Sequence, residues 1–532
     1  MFKKIIATIL CVLTFTAFLS GCSAPQEETQ MPPGTEPGPE RETQVPQQVV
    51  AGLGRDPGEM YGYGAHPPLT RILEPLIFQD LELGLKPGLA VKWEAAEDGL
   101  SWKLYLREGV KFHDGTPFNA GAVVHNLERL VNAFPGRFGA VEKIEAAGEY
   151  VVEVAHSEPY APFLYSLAWA GASMISPEVV DEEGNVAEPI GTGPFMRESW
   201  TPGEELVMVK NEDYWGGTPH LDKVTLKYIP DPTTRLMALE AGEIDMIIDT
   251  GGVLPEQVPT LQQNEHLEVL TIEGATPHYM TLNTQKAPLN DVRVRQAVMH
   301  AIDPESIIVY ALEGFGRTMT SVIPYSEKTW MHPETLYNFN NPEKAKELLQ
   351  TAGWEDKNGD GIREKDGQEC RLKFLLSSAL VGRWPYQTIA EVVQAQLADV
   401  GIAVKIEVVE TGLWKETLVK GDADLSIRPW AGISPQSRLH EWLHSEGENT
   451  LAMGIFYNNP QVDRLIEELL RTTADNEAKA LSLQIQEIAA EEVPVIPMYD
   501  EILINAINNK IKGYVLHPWF NVNWEDIYVE GN

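Results

Sequence analysis

Cysteine is scarce: the 532 residues hold three, Cys11, Cys22 and Cys370. The first two fall in an export segment argued below, which leaves the body one thiol. That excludes an intramolecular disulfide framework and a CxxC metal site. Basic residues are scarce too, with 41 Lys plus Arg against 78 Asp plus Glu, a formal charge of −37. A chain that acidic repels a phosphate backbone, so nucleic acid is excluded as a partner. No stretch after the N-terminal region approaches the run of about 18 apolar residues that a membrane-crossing helix needs. No G-x-x-x-x-G-K-[ST] occurs, so the chain has no ATPase phosphate loop. What is present suits a large globular body. Hydrophobic residues make up 43% and charged residues 22%, close to globular averages. At roughly 150 residues per domain, the length predicts three to four domains or two large lobes.

The N-terminus reads as a targeting segment. Lys3 and Lys4 precede an apolar run over 5–19, which ends in Leu19-Ser20-Gly21-Cys22, the bacterial lipobox pattern. The expectation is a signal peptide over 1–21 and a diacylglycerol on Cys22, placing the protein on the outer side of the cell membrane. The alternative is an ordinary cleaved signal with a chance cysteine. Residues 22–48 are rich in Pro, Glu, Gln and Thr without apolar periodicity, which predicts a flexible tether.

Mixed α/β structure follows. Trp102, Leu104 and Leu106 alternate as in a half-buried strand. Asn119 then caps a run whose Val123, Val124, Leu127, Leu130 and Val131 share one helical face. Strand-like 371–377, helix-like 387–400 and strand-like 402–410 form a candidate β-α-β unit with parallel strands. Amphipathic helices are expected at 461–471 and 476–492.

Residues 89–124 (LAVKWEAAEDGLSWKLYLREGVKFHDGTPFNAGAVV) join a W-x-L-x-L-R strand, a V-K-F-x-D-G-x-P-F turn and a helix. Further motifs follow in order: IGTGPF at 190–195, KNEDYW at 210–215, IPDPTTR at 229–235, AGEI at 241–244, LNTQKA at 282–287, VRVRQAVMHAID at 292–303, AGW at 352–354 and YNNPQVDRLI at 457–466. Together they resemble the family 5 extracytoplasmic solute-binding proteins of ABC importers, over nearly the whole mature chain. The resemblance implies a two-lobed α/β fold of the periplasmic-binding-protein kind, class II and of the large three-subdomain type. Lobe I would take 49–275 and 500–532, lobe II 276–499, with a hinge near 276–284 and 493–500. It also implies a monomer that works with the transmembrane subunits of an ABC permease, without catalysis and without a resident cofactor.

The same resemblance sets expectations for the ligand. Peptide-binding members place an aspartate shortly after a tryptophan in lobe II, to pair with the ligand's ammonium group. Here no acid stands between Trp430 and Glu441, and a buried ammonium without a carboxylate partner is costly. Arg438 would instead suit a carboxylate. The pattern most resembles the nickel-binding proteins of nickel importers, with Arg428 and Trp430 matching an Arg-x-Trp and Arg137 matching a chelate-gripping arginine. Tyr61 and His66 match cleft positions ahead of Glu74-Pro75-Leu76, although His66 replaces a methionine, and a further family arginine expected within 167–175 is absent. Trp414 completes the ligand-binding candidates. For Trp430, Tyr61 and Arg137 the competing readings are a core residue, a surface loop residue and a solvated charge. The expected cargo is a chelated nickel ion or similar metal complex; the alternative is a dipeptide or oligopeptide.

Two motifs fall outside this frame. His440-Glu441-Trp442-Leu443-His444 satisfies H-E-x-x-H, which on a helix sets two imidazoles one turn apart, as in zinc proteases. The H-x-x-G-x-x-H continuation is missing, so the zinc-protease reading stands last, behind a plain helix-face pair and a cleft metal ligand at His440 or His444. Residues 356–364 (DKNGDGIRE) resemble a calcium loop through Asp356, Asn358 and Asp360, but the twelfth position is Gly367 instead of glutamate. A plain turn is the competing reading.

Overall fold

The computed structural model describes residues 46–58, 65–430, 432, 434–519 and 521–531. The expected signal peptide, Cys22, most of the expected tether and Tyr61 lie outside the described residues. Among the described residues, no helix is long and apolar enough to cross a membrane.

An eleven-stranded mixed sheet organises the chain. Its order begins with Ala403–Val409, Arg371–Ser377 and Leu425–Pro429 and passes through Leu267–Leu282 and Val495–Asn508. It then continues through Met246–Ile247, Gln48–Leu53, Lys223–Tyr228, Glu205–Lys210 and Phe195–Thr201, with Gly316–Thr318 pairing on Val495–Asn508. The two long central strands pair antiparallel from Leu267↔Asn508 to Thr281↔Val495, and their register shifts between Glu273 and Pro277. A bulge there bends the pair. The expected β-α-β unit is present: Arg371–Ser377 and Ala403–Val409 pair in parallel, joined through the helix Tyr386–Ala398. Asn119 caps the helix Ala120–Ala133, its side chain accepting from the Ala122 N–H.

Four apolar cores explain the layout. One runs from Tyr279 to Tyr499 and takes its residues from that interval alone. A second, spanning Leu76 to Met174, sits on the four-stranded sheet of Ala90–Ala95, Ser101–Leu106, Val151–His156 and Val141–Gly148. A third mixes Val49–Ile248 with Ile507–Val529, so the end of the chain packs back onto its first strand. The fourth joins Ala238–Leu261 to Ile504 and Ala506. This is the α/β two-lobed architecture.

Several motifs converge on one buried acid. Glu74 accepts from Arg71 (3.2 Å), Thr192 (2.9 Å), Tyr214 (2.8 Å) and Trp215 (2.8 Å), which draws E-P-L, IGTGPF and KNEDYW together. The glycines of IGTGPF make this approach possible: a Cβ on Gly193 would lie 1.8 Å from the Arg71 carbonyl oxygen, and one on Gly191 2.1 Å from that of Ile72. Lone Cys370 is a buried strand-flanking residue, and burial pushes its thiol up to about 12, so it stays protonated and inert.

Candidate functional site

A cavity of about 560 Å³ lies where the Tyr279–Tyr499 core faces the others. Four guanidiniums line it, those of Arg55, Arg71, Arg137 and Arg383, together with Phe78, Trp169, Trp384, Trp430 and Trp519. No aspartate or glutamate is among its described lining residues. Inside a chain of charge −37, this is a concentrated positive surface. The matching carboxylates stand behind the arginines.

At one end, Asp249 holds two arginines from distant parts of the chain, Arg55 and Arg383. Arg55 grips it with two N–H donors, the Nε contact at 2.6 Å, while the Arg383 Nη2 lies 3.5 Å away. Arg383 arises in the turn after the helix Ser378–Val381 and crosses to donate to the Thr250 carbonyl and hydroxyl, each at 2.7 Å. Its guanidinium stacks on Trp384 at 4.3 Å. Burial, aided by the like charge of Arg55, pulls Arg383 down to about 10. Desolvation would raise the Asp249 carboxyl, but Arg55 and Arg383 outweigh it and hold the group below its ordinary range. Asp249 also sits at φ 109°, a region a non-glycine side chain adopts only when its surroundings enforce it. The Thr276 hydroxyl, on the long strand beside the bulge, completes this wall.

At the other end, Arg137 stacks over Trp169 at 4.5 Å and reaches Glu441 at 3.1 Å and Glu448 at 3.0 Å. The Trp430 indole N–H donates to the second oxygen of Glu441, and Arg428 lies 4.5 Å from the Trp430 ring centre. Burial raises the Glu441 carboxyl above its usual range despite Arg137. Arg71 lines the floor, anchored by Glu74 and Glu525 and stacked against Phe78 at 5.0 Å.

The candidates read from sequence separate clearly. Arg137 and Trp430 both line the cavity. His66 does not: it is buried behind Arg55, whose Nη1 lies 3.1 Å from its Nε2, and burial followed by Arg55 holds it neutral, well below the usual range. Arg438 is also behind the wall, its fork filled by Glu327 (3.0 and 3.2 Å) and the Trp430 carbonyl (3.0 Å). Trp414 is a core residue, its indole N–H bonded to the Ser426 hydroxyl at 3.0 Å. It packs there because the helix Thr411–Val419 turns its apolar side onto the sheet.

His440 and His444 are not assembled for a metal. The helix Pro435–Leu443, capped by Ser434, ends before His444, whose backbone is extended (φ −75°, ψ 141°). The His444 Nδ1 accepts from the Glu446 N–H at 3.1 Å, which leaves the ring hydrogen on Nε2, facing Asp463 and Glu467 at 4.0 and 3.8 Å. A nitrogen carrying hydrogen offers no lone pair to a metal. His440 stacks on it, and burial with the neighbouring ring brings it down to about 4. In the 356–364 turn, the side-chain oxygens of Asp356, Asn358 and Asp360 accept N–H groups of the turn itself. Among the described residues, no group of three His, Cys, Asp or Glu is arranged to hold a metal ion.

Sequence reasoning missed Arg55, Arg71 and Arg383. Arg383 had a signal: it follows the carboxyl end of Arg371–Ser377, the edge of a parallel unit at which open α/β sheets bind ligands. Arg55 and Arg71 sit in irregular segments where no periodicity points inward.

Comparison with known proteins follows the same lines. A model of the bacterial extracellular solute-binding proteins, family 5, matches residues 84–450. A periplasmic protein of Escherichia coli K12, described as a probable D,D-dipeptide-binding protein, is 32% identical over 453 residues, 82% of this chain and 84% of its own. A glutathione-binding protein of Escherichia coli O1:K1 is 28% identical over 506 residues, 90% of this chain and 94% of its own. Among solved structures, NikA of Brucella suis in complex with Fe(III)-EDTA superposes with a TM-score of 0.81 at 26% identity, covering 91% of this chain and 100% of that one.

Proposed function

We propose that this chain, which belongs to family 5 of the bacterial extracellular solute-binding proteins, captures a small carboxylate-bearing solute between its lobes for delivery to an ABC permease. The observation that carries this reading is the cavity lining: four arginines, five aromatic rings and no described carboxylate. A guanidinium accepts a carboxylate through two parallel N–H bonds, and the rings exclude water around that contact. The partners named for the three similar proteins, a D,D-dipeptide, glutathione and an EDTA complex, all carry carboxylates.

Within that class, a transition-metal chelate, nickel first, is the reading we put forward. The chelator would have to complete the metal's coordination, because His517, the imidazole among the described lining residues, spends its ring nitrogens on the Gln79 carbonyl (3.2 Å) and the Trp519 N–H (3.0 Å). The second reading is a short peptide, favoured by the 32% identical relative. Calorimetry on stripped protein separates them. The chelate reading expects Ni²⁺ with histidine or citrate to bind more tightly than di- to hexapeptides. Micromolar peptide binding without response to any metal chelate would establish the second reading instead.

The lobe assignment belongs to the same proposal. Lobe I would comprise 49–275 with 500–532 and lobe II 276–499, with closure bending the Leu267–Leu282 and Val495–Asn508 pair at its bulge. The Leu19-Ser20-Gly21-Cys22 motif supports a lipid anchor on Cys22. Cys22→Ala should release the protein from membranes, since a diacyl group anchors stably; unchanged association after a high-salt wash would refute the anchor.

A further inference from the structure

Glu441 belongs to the H-E-x-x-H stretch, yet it does none of the chemistry that motif suggests. It is buried, only 6% exposed, and lies outside the cavity lining. Its two oxygens face opposite ways. One accepts from the Trp430 indole, on the strand end of the Tyr279–Tyr499 core. The other receives Arg137 at 3.1 Å, from the short helix Pro135–Phe138 of the Leu76–Met174 core. Trp430 and Arg137 both line the cavity. Thus one buried carboxylate joins the aromatic wall of one lobe to the cationic wall of the other, 304 residues away in sequence.

We infer that Glu441 is a positioning residue that couples the placement of Trp430 to closure of the lobes over the solute. The inference rests on the reading of the cavity as a solute cleft that opens and closes. The Trp430 contact lies within one lobe and survives opening, whereas the Arg137 contact exists only while the lobes meet. A contact present in one state alone shifts the equilibrium toward that state. Glu448 provides an internal comparison: it meets the same guanidinium, but its side chain is 60% exposed, and exposed pairs contribute little.

The test needs no ligand. Dyes placed at the exposed positions 145 and 477, one on each lobe, report the closed-to-open ratio of stripped full-length protein by single-molecule energy transfer. Glu441→Gln keeps an acceptor for the indole and removes the charge that Arg137 meets, so the ratio should fall by about tenfold. Glu448→Gln should change it by less than about twofold. Adding Arg137→Gln to Glu441→Gln should cause little further loss, as expected for residues acting through one contact. In protein labelled with 5-fluorotryptophan, the Trp430 resonance, assigned by its loss in Trp430→Phe, should stay in place in Glu441→Gln and move in Glu441→Leu. An unchanged ratio in Glu441→Gln with its melting temperature intact would overturn the inference, as would equal effects of Glu441→Gln and Glu448→Gln. Failure of the solute reading itself would appear in calorimetry and leave this result standing.

Discussion

The two ends of the cavity solve the same problem in opposite ways. At the Asp249 end one carboxylate is gripped by two guanidiniums, Arg55 and Arg383; at the Arg137 end one guanidinium meets two carboxylates, Glu441 and Glu448. The first arrangement gathers positive charge against the cavity, and Arg383 registers it through a pKa drawn down to about 10. The second ties its positive charge to two acids that lie 304 and 311 residues away in sequence. The same residue types are therefore arranged differently: the Asp249 end leaves two guanidiniums against the cavity, and at the Arg137 end two carboxylates share one guanidinium. Burial decides the rest, because Asp249 is held ionised by its two arginines while Glu441 is pushed toward its neutral form.

The largest effect that would sharpen this contrast is at Arg383. Arg383→Gln leaves Asp249 paired with Arg55 but removes a buried charge facing the solute. Affinity for the carboxylate-bearing solute should fall by about a hundredfold or more, roughly 2.7 kcal/mol, when measured by calorimetry. Arg137→Gln should cost less, about tenfold, since it also relieves Glu441 and Glu448 of a partner they share. Equal losses at the two arginines would break the comparison.

Acidity separates the ends next. The folded value of Glu441 lies above its unfolded one, so its contribution to stability is greatest at low pH and is lost as pH rises through the raised value. The folded value of Asp249 lies below its unfolded one, so its contribution is present at neutral pH and is lost as pH falls through the depressed value. Relative to wild type, Glu441→Gln should therefore gain stability as pH rises above the ordinary glutamate range, and Asp249→Asn should lose most at neutral pH. Melting curves from about pH 2 to 8 check both signs, Glu441 in the window above the ordinary glutamate value and Asp249 in the window below the ordinary aspartate one; curves parallel throughout would show that neither carboxyl is perturbed. The smallest change concerns a residue away from both ends. Trp414→Phe removes a buried bond to Ser426, so the melting temperature should fall by roughly 2–4 °C with solute affinity unchanged.

The fold was more legible than the site, for physical reasons visible in particular residues. The β-α-β unit, the Asn119 cap and the alternation of Trp102, Leu104 and Leu106 are local patterns, and local patterns survive into the structure. Glu74 shows how scattered motifs acquire sense only in three dimensions, through four donors from segments up to 141 residues away. Trp430 and Arg137 could be read because motifs flank them. Trp414 and Arg438 were misplaced because residue type does not reveal which way a side chain faces: one packs into the core and the other spends its donors on Glu327. Glu441 had the clearest pattern and the most misleading one. H-E-x-x-H presumes a helix through both histidines, and the helix stops at Leu443.

The central claim is that this cavity holds a solute by its carboxylates. Native mass spectrometry of protein purified without stripping, followed by denaturation and identification of the released molecule, tests that claim directly. The account predicts a small molecule bearing at least one free carboxylate, alone or wrapped around a transition-metal ion, and lost from Arg383→Gln. A neutral sugar or a cationic molecule, retained equally by Arg383→Gln, would contradict it.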